Sequence, residues 1–345
     1  MFNNLLKTSI TGFVTYVCFS SMSWASGPEH VLRVGTWLSP THTMNQNVLP
    51  TWGNWIEEAT DGRVTIKLEY DVGHPKSLID LVEDGAIAAS WTFHGYLPGR
   101  FLLPQMAELP GADVGAEAAS VAHWRINERF FQKSGEYDGV EVAGLFVHGP
   151  AQIHTTTPIA SIKELKDKKI RVGGGTASEI GERLGIIGVN APANKAYEML
   201  SQGVADGIFM QMDMMKVGRF KDVAPYTLKI PGGLYLGSFG IFLSPDFMDG
   251  LSEKDQAAIR SVSGERLSAL AGRSWAEADK IGEADIIASG SQVIDASAED
   301  IAYFNEKIKG MDEQWIKSAN SRGVDAEAAL KAFRNEAENY QPIDL

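Results

Sequence analysis

The stretch with the clearest chemistry is an arginine near the end of a strand, followed by three glycines: Lys169-Ile170-Arg171-Val172-Gly173-Gly174-Gly175-Thr176. Arg171 carries a fixed cation in a planar fork that fits a carboxylate. The turn centred on Gly174 offers backbone N–H groups, and the positive end of the following helix favours an anion. Thr176, with Glu179 three residues on, reads as a capping box, and Gly185 reads as the helix stop. These residues suggest a clamp for an organic anion. They also permit a blander reading, a surface ion pair beside a plain turn, which the local sequence leaves open. A nucleotide loop fits less well. There is no G-x-x-x-x-G-K-[ST], and Ser178 stands where G-x-G-x-x-G needs its last glycine.

Signals for catalysis are poor. The chain has no G-x-S-x-G elbow and no H-E-x-x-H. His42, His74 and His94 lack the spacing of a zinc site. No carboxylate pair is singled out as a glycosidase pair. The expectation is no catalytic residue, no metal and no cofactor.

The elements that must hold Arg171 alternate along the chain. Val31 to Trp37 begins as a strand, and Val48, Trp52, Trp55, Ile56 and Ala59 then fall at helical spacing. Val64 to Tyr70 alternates as a strand, Lys76 to Asp84 reads as a helix, and Ala86 to Phe93 as a buried strand. This order argues for an α/β fold with a largely parallel sheet. Ala116 to Lys133 reads as a helix and Val140 to Val147 as a strand. Polar His148 to Thr157 is a candidate crossing between domains. Ser161 with Glu164 is a capping box before the central strand. Strands are expected at Ile186 to Val189, after Asp206-Gly207, and at Tyr226 to Ile230 and Tyr235 to Leu243. Ser252 to about Ile287 reads as almost continuous helix, on the order of 50 Å long and able to span two domains. Ala298 to Asn320 and Asp325 to Tyr340 are terminal helices.

Composition sets the compartment and the class of partner. Met1 to Lys7 is a short basic region, Thr8 to Phe19 is apolar but too short to span a bilayer, and Ser23-Trp24-Ala25 is a small-x-small cleavage signal. The expectation is a secretory signal peptide cleaved after Ala25 and a periplasmic protein without stable membrane insertion. Cleavage removes Cys18, the only cysteine, so neither a disulfide nor a thiolate metal site is available. It also removes Lys7, the only charge in residues 1–25, which moves the net charge from −13 to −14. An acidic surface disfavours nucleic acid as a partner.

Several further pieces complete a pattern. They are Pro40-Thr41-His42, Glu57-Glu58-Ala59-Thr60-Asp61-Gly62-Arg63-Val64, Gly73-His74-Pro75 and Asp84-Gly85-Ala86. Tyr96-Leu97-Pro98-Gly99-Arg100-Phe101 follows, then Glu108-Leu109-Pro110, Leu165 through Val172, Tyr197-Glu198-Met199-Leu200 and Val204-Ala205-Asp206-Gly207. Each is weak alone, but in this number and order the chain resembles the DctP-type solute-binding proteins of TRAP transporters over about residues 30 to 310. The resemblance implies a periplasmic-binding-protein-like fold: two α/β domains around a ligand cleft, joined by crossing strands and a long shared helix. The expected division is 1–25 as signal peptide, 26–148 plus 237–275 as one domain, and 149–236 plus 276–345 as the other, which carries Arg171. It also implies binding of a small organic acid, with the clamping arginine at Arg171, delivery to the membrane subunits of a TRAP transporter, and no catalysis.

Departures from the sugar-acid-binding members bear on the ligand. A second basic residue would fall near Ala151-Gln152 and is absent. Where those members carry polar residues, this chain has Ile208-Phe209-Met210-Gln211. With Trp37, Trp91, Tyr235 and Phe239 at expected cleft positions, the pocket reads as apolar and aromatic. An aryl or branched-chain acid fits, its ring stacking on Trp37 or Trp91. His94, His148 and Gln152 are candidates to hydrogen-bond a hydroxyl, keto or second carboxylate oxygen. Two other readings stay open: a secreted enzyme acting on an organic acid, and a binding protein of the same architecture serving a signalling receptor.

Overall fold

The computed structural model describes residues 29–345 other than Ala112. The expected signal peptide, Cys18 included, lies outside the described residues. Among the described residues, eleven strands form two sheets. In chain order they are β1 (His30–Thr36), β2 (Val64–Tyr70), β3 (Ala89–Phe93), β4 (Glu141–Val147), β5 (Gln152–Thr155), β6 (Lys169–Val172), β7 (Ile187–Asn190), β8 (Gly207–Met210), β9 (Tyr226–Lys229), β10 (Ser238–Leu243) and β11 (Gln292–Asp295). The first sheet has the order β2-β1-β3-β10-β4, the second β11-β9-β5-β8-β6-β7.

The first half of the chain produces the expected parallel pairs, β1 with β2 and β1 with β3. The first sheet is nevertheless mixed. The chain leaves it after β4 and returns as β10, which inserts between β3 and β4 and runs antiparallel to both. The second sheet mixes senses in the same way: β6 is parallel to β7 and β8, and β5 is antiparallel to β8 and β9. Strands that enter a sheet from the other sheet need no crossover helix, so the rule that helical crossovers give parallel neighbours does not bind them.

One sequence expectation is extended here and one is corrected. The polar run His148 to Thr157 carries the chain from the first sheet to the second, and it also contains the buried strand β5. Its polar side chains are satisfied inside the sheet. The Gln152 amide accepts from Ile230 N–H (2.7 Å) and donates to Ile230 O (3.1 Å), while the His154 ring bonds Thr227 Oγ1 (2.9 Å) and Met210 O (3.0 Å). Polar residues with complete hydrogen bonding can be buried. The long helical run also breaks. Helix Glu253–Ser261 ends before Gly264, which takes φ 67° and donates its N–H to Ala143 O (2.7 Å). The long helix is Glu265–Ala288, ~36 Å at 1.5 Å per residue. It still reaches both sheets' surroundings, packing on Ala116–Ile126 and on Met212–Val217.

Apolar side chains fill the space behind the strands: Trp52, Trp91, Phe146 and Phe242 on the first sheet, Ile153, Ile170 and Phe209 on the second. The C-terminal helix Ala326–Glu338 lies against Ala116–Ile126, and Trp315 Nε1 donates to Leu102 O (3.0 Å). Among the described residues, no helix is long and apolar enough to cross a membrane.

Candidate functional site

Strand β6 decides which way Arg171 points. Successive side chains alternate across a strand, and Ile170 and Val172 join the core of the second sheet. Arg171 therefore faces the other way, toward the first sheet. It is only 3% exposed. Its Nε and Nη2 both donate to Ala191 O (2.9 and 2.6 Å). No carboxylate oxygen lies within 4.0 Å of it among the described residues. A buried cation without a counter-charge is expensive.

The glycine turn does a different job from the one expected. The helix Thr176–Leu184 is capped by Gly175 (φ 56°), not by the Thr176 side chain, and Gly185 closes it in the left-handed conformation as expected. The anion at its N-terminus is internal. Glu108 accepts the Thr176 N–H (3.3 Å), the Ser238 N–H (3.1 Å) and the Ser238 hydroxyl (2.8 Å). Burial pushes the Glu108 carboxyl above its ordinary range, against the pull of those donors. The helix end is thus occupied by Glu108.

Arg171 opens onto a cavity with about 390 Å³ of empty space. Its wall is mainly aromatic: Trp37, Phe93, Tyr96, Tyr235, Phe239 and Trp275, with Leu38, His148, Gly173, Ala193, Met210, Gln211 and Met214. The rings support one another. Phe93 meets Tyr96 edge-on (centroids 5.0 Å), and Phe239 stacks on Trp275 (5.2 Å). Trp37 lies 4.7 Å from Trp91 and donates its Nε1–H to Trp91 O (3.0 Å).

Of the residues named from sequence, Arg171, Trp37, His148, Met210, Gln211, Tyr235 and Phe239 line this cavity; Trp91, His94, Gln152, Gly174 and Phe209 do not. Trp91 is a backing layer behind Trp37, and its Nε1–H goes to Thr36 Oγ1 (3.1 Å). His94 is fully engaged between Ser238 Oγ (3.0 Å) and Tyr137 OH (3.2 Å). Burial holds it well below the usual histidine range, so it is neutral. Gln152 is bound to the Ile230 backbone, as described above. Phe209 alternates with its lining neighbour Met210 and packs in the second core. Gly174 (φ 109°) does not line the cavity: a Cβ there would run into the Gly95 carbonyl.

Sequence reasoning missed Leu38, Phe93, Tyr96, Gly173, Ala193, Met214 and Trp275 as cavity residues. Phe93 was within reach, because it is two residues from Trp91 on one strand and shares its face. Tyr96 and Ala193 meet through a link between distant segments, Ala193 N–H to Tyr96 OH (2.8 Å), which leaves no local pattern.

The hydrogen-bonding capacity of the wall is limited. His148 donates from Nδ1 to Gly149 O (2.5 Å) and accepts the Gly237 N–H at Nε2 (3.1 Å). Burial, with a smaller push from the Arg171 cation, lowers its pKa to about 4, so it is neutral and shows the cavity an apolar ring. The Tyr235 hydroxyl and the Gln211 amide make no side-chain hydrogen bond to the described residues. Nearby, His42 Nε2 lies 3.3 Å from Asp213 Oδ2, and the Asp213 N–H donates to Asp279 Oδ1 (2.8 Å). Burial, then the Asp213 charge, pushes Asp279 well above the carboxylate range. Neither carboxylate reaches the cavity wall. One fixed cation, two polar handles and an aromatic box are chemically suited to a small aromatic monoanion.

Comparisons with known proteins agree with this geometry. A TRAP periplasmic solute-binding protein of Bordetella bronchiseptica, solved with (R)-mandelate and (S)-mandelate bound, is 34% identical, with a TM-score of 0.87 over 89% of this chain and 98% of that one. A TRAP solute-binding protein of Rhodoferax ferrireducens, solved with copurified benzoate, is 25% identical, with a TM-score of 0.84 over 89% and 97% of the two chains. A Comamonas testosteroni protein named outer membrane transporter protein TsaT is 28% identical over 313 residues, 90% of this chain and 92% of that one. Residues 34–318 match the family described as bacterial extracellular solute-binding protein, family 7. The chain therefore belongs to the DctP family of TRAP-transporter solute-binding proteins.

Proposed function

We propose that this protein binds a small aromatic monocarboxylate in the periplasm and delivers it to the membrane subunits of a TRAP transporter. The observation that carries the ligand class is Arg171, a buried guanidinium without a carboxylate partner among the described residues, opening onto a cavity walled by six aromatic side chains. The ligand carboxylate pairs with the Arg171 fork. Its ring lies among Trp37, Phe93, Phe239 and Trp275, and Tyr235 or Gln211 takes a hydroxyl beside the carboxylate. The mandelate and benzoate held by the two solved relatives are acids of this size and type. Family membership and the N-terminal signal pattern support the compartment and the transporter partner. The cavity wall carries no Asp, Glu, Ser or Cys, which speaks against the rival reading of an enzyme on organic acids.

The mechanism is a difference in stability between open and closed forms. Trp37, Phe93 and Phe239 belong to the first sheet or its adjoining loops, while Arg171, Met210 and Gln211 belong to the second. A ligand touching both groups favours the closed arrangement by its differential affinity. Exclusion of water on closure strengthens the ion pair.

Titration of the mature protein with mandelate, benzoate, glucuronate and succinate, by calorimetry and thermal shift, tests the ligand class. The aryl acids should bind, and at a hundredfold excess over Kd should stabilise by ~2.7 kcal/mol. The sugar acid and the dicarboxylate should give no shift. Tight glucuronate or succinate binding with no response to the aryl acids would leave the family assignment standing and overturn the aromatic-pocket reading.

A further inference from the structure

A second hollow lies against the ligand cavity, with about 530 Å³ of empty space. Leu38, Ala193 and Met214 belong to the walls of both. These three are 8%, 9% and 4% exposed. On the far side of the outer hollow, Ser39 and Asn194 are exposed and Tyr197 is half-buried. The side chains of Leu38, Ala193 and Met214 thus stand between the aromatic cavity and a neighbouring hollow whose wall includes the exposed Ser39 and Asn194. They come from three segments: Leu38 follows β1, Ala193 follows β7, and Met214 lies in the helix Met212–Val217 after β8.

The three residues are not equally able to move. The Ala193 side chain has no torsion that shifts a heavy atom, and its backbone N–H is tied to Tyr96. Leu38 is branched. Met214 is unbranched, has several rotatable bonds and adapts to irregular space. Turning Met214 aside would join the two hollows without moving the backbone. The small Ala193 opposite leaves the opening room.

We propose that Met214 is a specificity-determining gate, and that the outer hollow receives the distal end of aryl acids too long for the inner cavity. This rests on the aromatic-acid reading above. The wall of the outer hollow states the chemistry of the extension. Phe220 and Val217 suit a second ring, and Asn194 and Tyr197 at the outer side suit a terminal hydroxyl. The protein's ligand class then extends from single-ring acids to two-ring or chain-extended aryl acids with a polar far end.

Calorimetry with benzoate and a para-hydroxylated biphenylcarboxylate, on wild type, Met214→Ala and Ala193→Leu, tests this. Removing one to three side-chain carbons from such a wall changes discrimination by roughly tenfold or more. Met214→Ala should raise the ratio of long-acid to benzoate affinity by about tenfold, and Ala193→Leu should lower it by about tenfold. A cooperative thermal melt of each ligand-free variant reports whether it is folded. If Met214→Ala shows none, Ala193→Leu decides, since it blocks the opening from the other side. A ratio that neither rises in the first variant nor falls in the second, with benzoate still bound, overturns the gate alone. Failure of wild type to bind either acid overturns the aromatic-acid reading, and the gate falls with it.

Discussion

Arg171→Ala is expected to weaken aromatic-acid binding by ~2–5 kcal/mol, roughly 30-fold to several thousandfold in Kd. The size follows from burial. Arg171 is 3% exposed, its guanidinium donates to the Ala191 carbonyl, and no carboxylate oxygen lies within 4.0 Å of it among the described residues, so in the proposed complex the ligand carboxylate is its counter-charge. Truncation leaves that carboxylate desolvated and unpaired in an aromatic box. The same variant should leave the ligand-free protein within about 1 kcal/mol of wild type, because losing an uncompensated buried cation offsets the lost packing of its stem. Melting with and without ligand separates the two effects: the ligand-induced shift should vanish while the ligand-free melting temperature holds. Arg171→Lys keeps the charge but not the fork, and should fall between. An Arg171→Ala protein that binds benzoate as wild type does would remove the clamp from the account.

Gly174→Ala should weaken binding by ~5- to 150-fold, from ~1–3 kcal/mol of strain, although no ligand contact is lost. Gly174 has φ 109°, a region that side chains rarely adopt, and an added Cβ would meet the Gly95 carbonyl oxygen. Gly95 lies in the short turn His94–Tyr96 that follows β3 of the first sheet, whereas Gly174 follows β6 of the second. The close approach is therefore where the two sides of the cleft meet. Next to it, Gly175 sits against Glu108 and the Gly95 Cα. A methyl group must push this seam apart or twist β6 and carry Arg171 with it. Gly203→Ala is the matched control. It also has positive φ (70°) but nothing within 4 Å of the added atom. Gly203→Ala should lower stability slightly and leave affinity unchanged. Equal affinity losses in both variants would mean that backbone strain, not the seam, is responsible.

The fold was legible where a residue's chemistry is local. The capping box at Ser161 and Glu164 forms as read, with Ser161 Oγ accepting the Lys163 N–H (3.3 Å) and Glu164 reaching back to the Ser161 N–H (3.0 Å). The strand before the glycine turn begins and ends at Lys169 and Val172 as expected. Arg171 was singled out by the glycine turn beside it, and the structure places it on the cavity wall. What stayed hidden depends on partners distant in sequence. Nothing near Gln152 reveals that Ile230 will satisfy both ends of its amide, so the crossing segment gives no sign that it ends in a buried strand. Nothing near Thr176 reveals that Glu108 will occupy the helix end, so the glycine turn reads as a ligand contact rather than a contact between the two sides of the cleft. Trp91 and Trp37 look alike in sequence, yet one backs the other, because only the packing of β1 against β3 orders them. His94 looked like a ligand to polar oxygens, but Ser238 and Tyr137 claim both of its nitrogens.

The most direct test of the central claim is a matched pair of titrations on the wild-type protein, benzoate against benzamide. The two share a ring and nearly the same shape, and differ in the charge that Arg171 is held to pair with. The account predicts that benzoate binds at least ~100-fold more tightly than benzamide, in line with the cost of leaving a buried charge unpaired. Benzamide binding within about threefold of benzoate would contradict it. That result would mean that the aromatic box alone holds the ligand and that the buried guanidinium serves some other purpose.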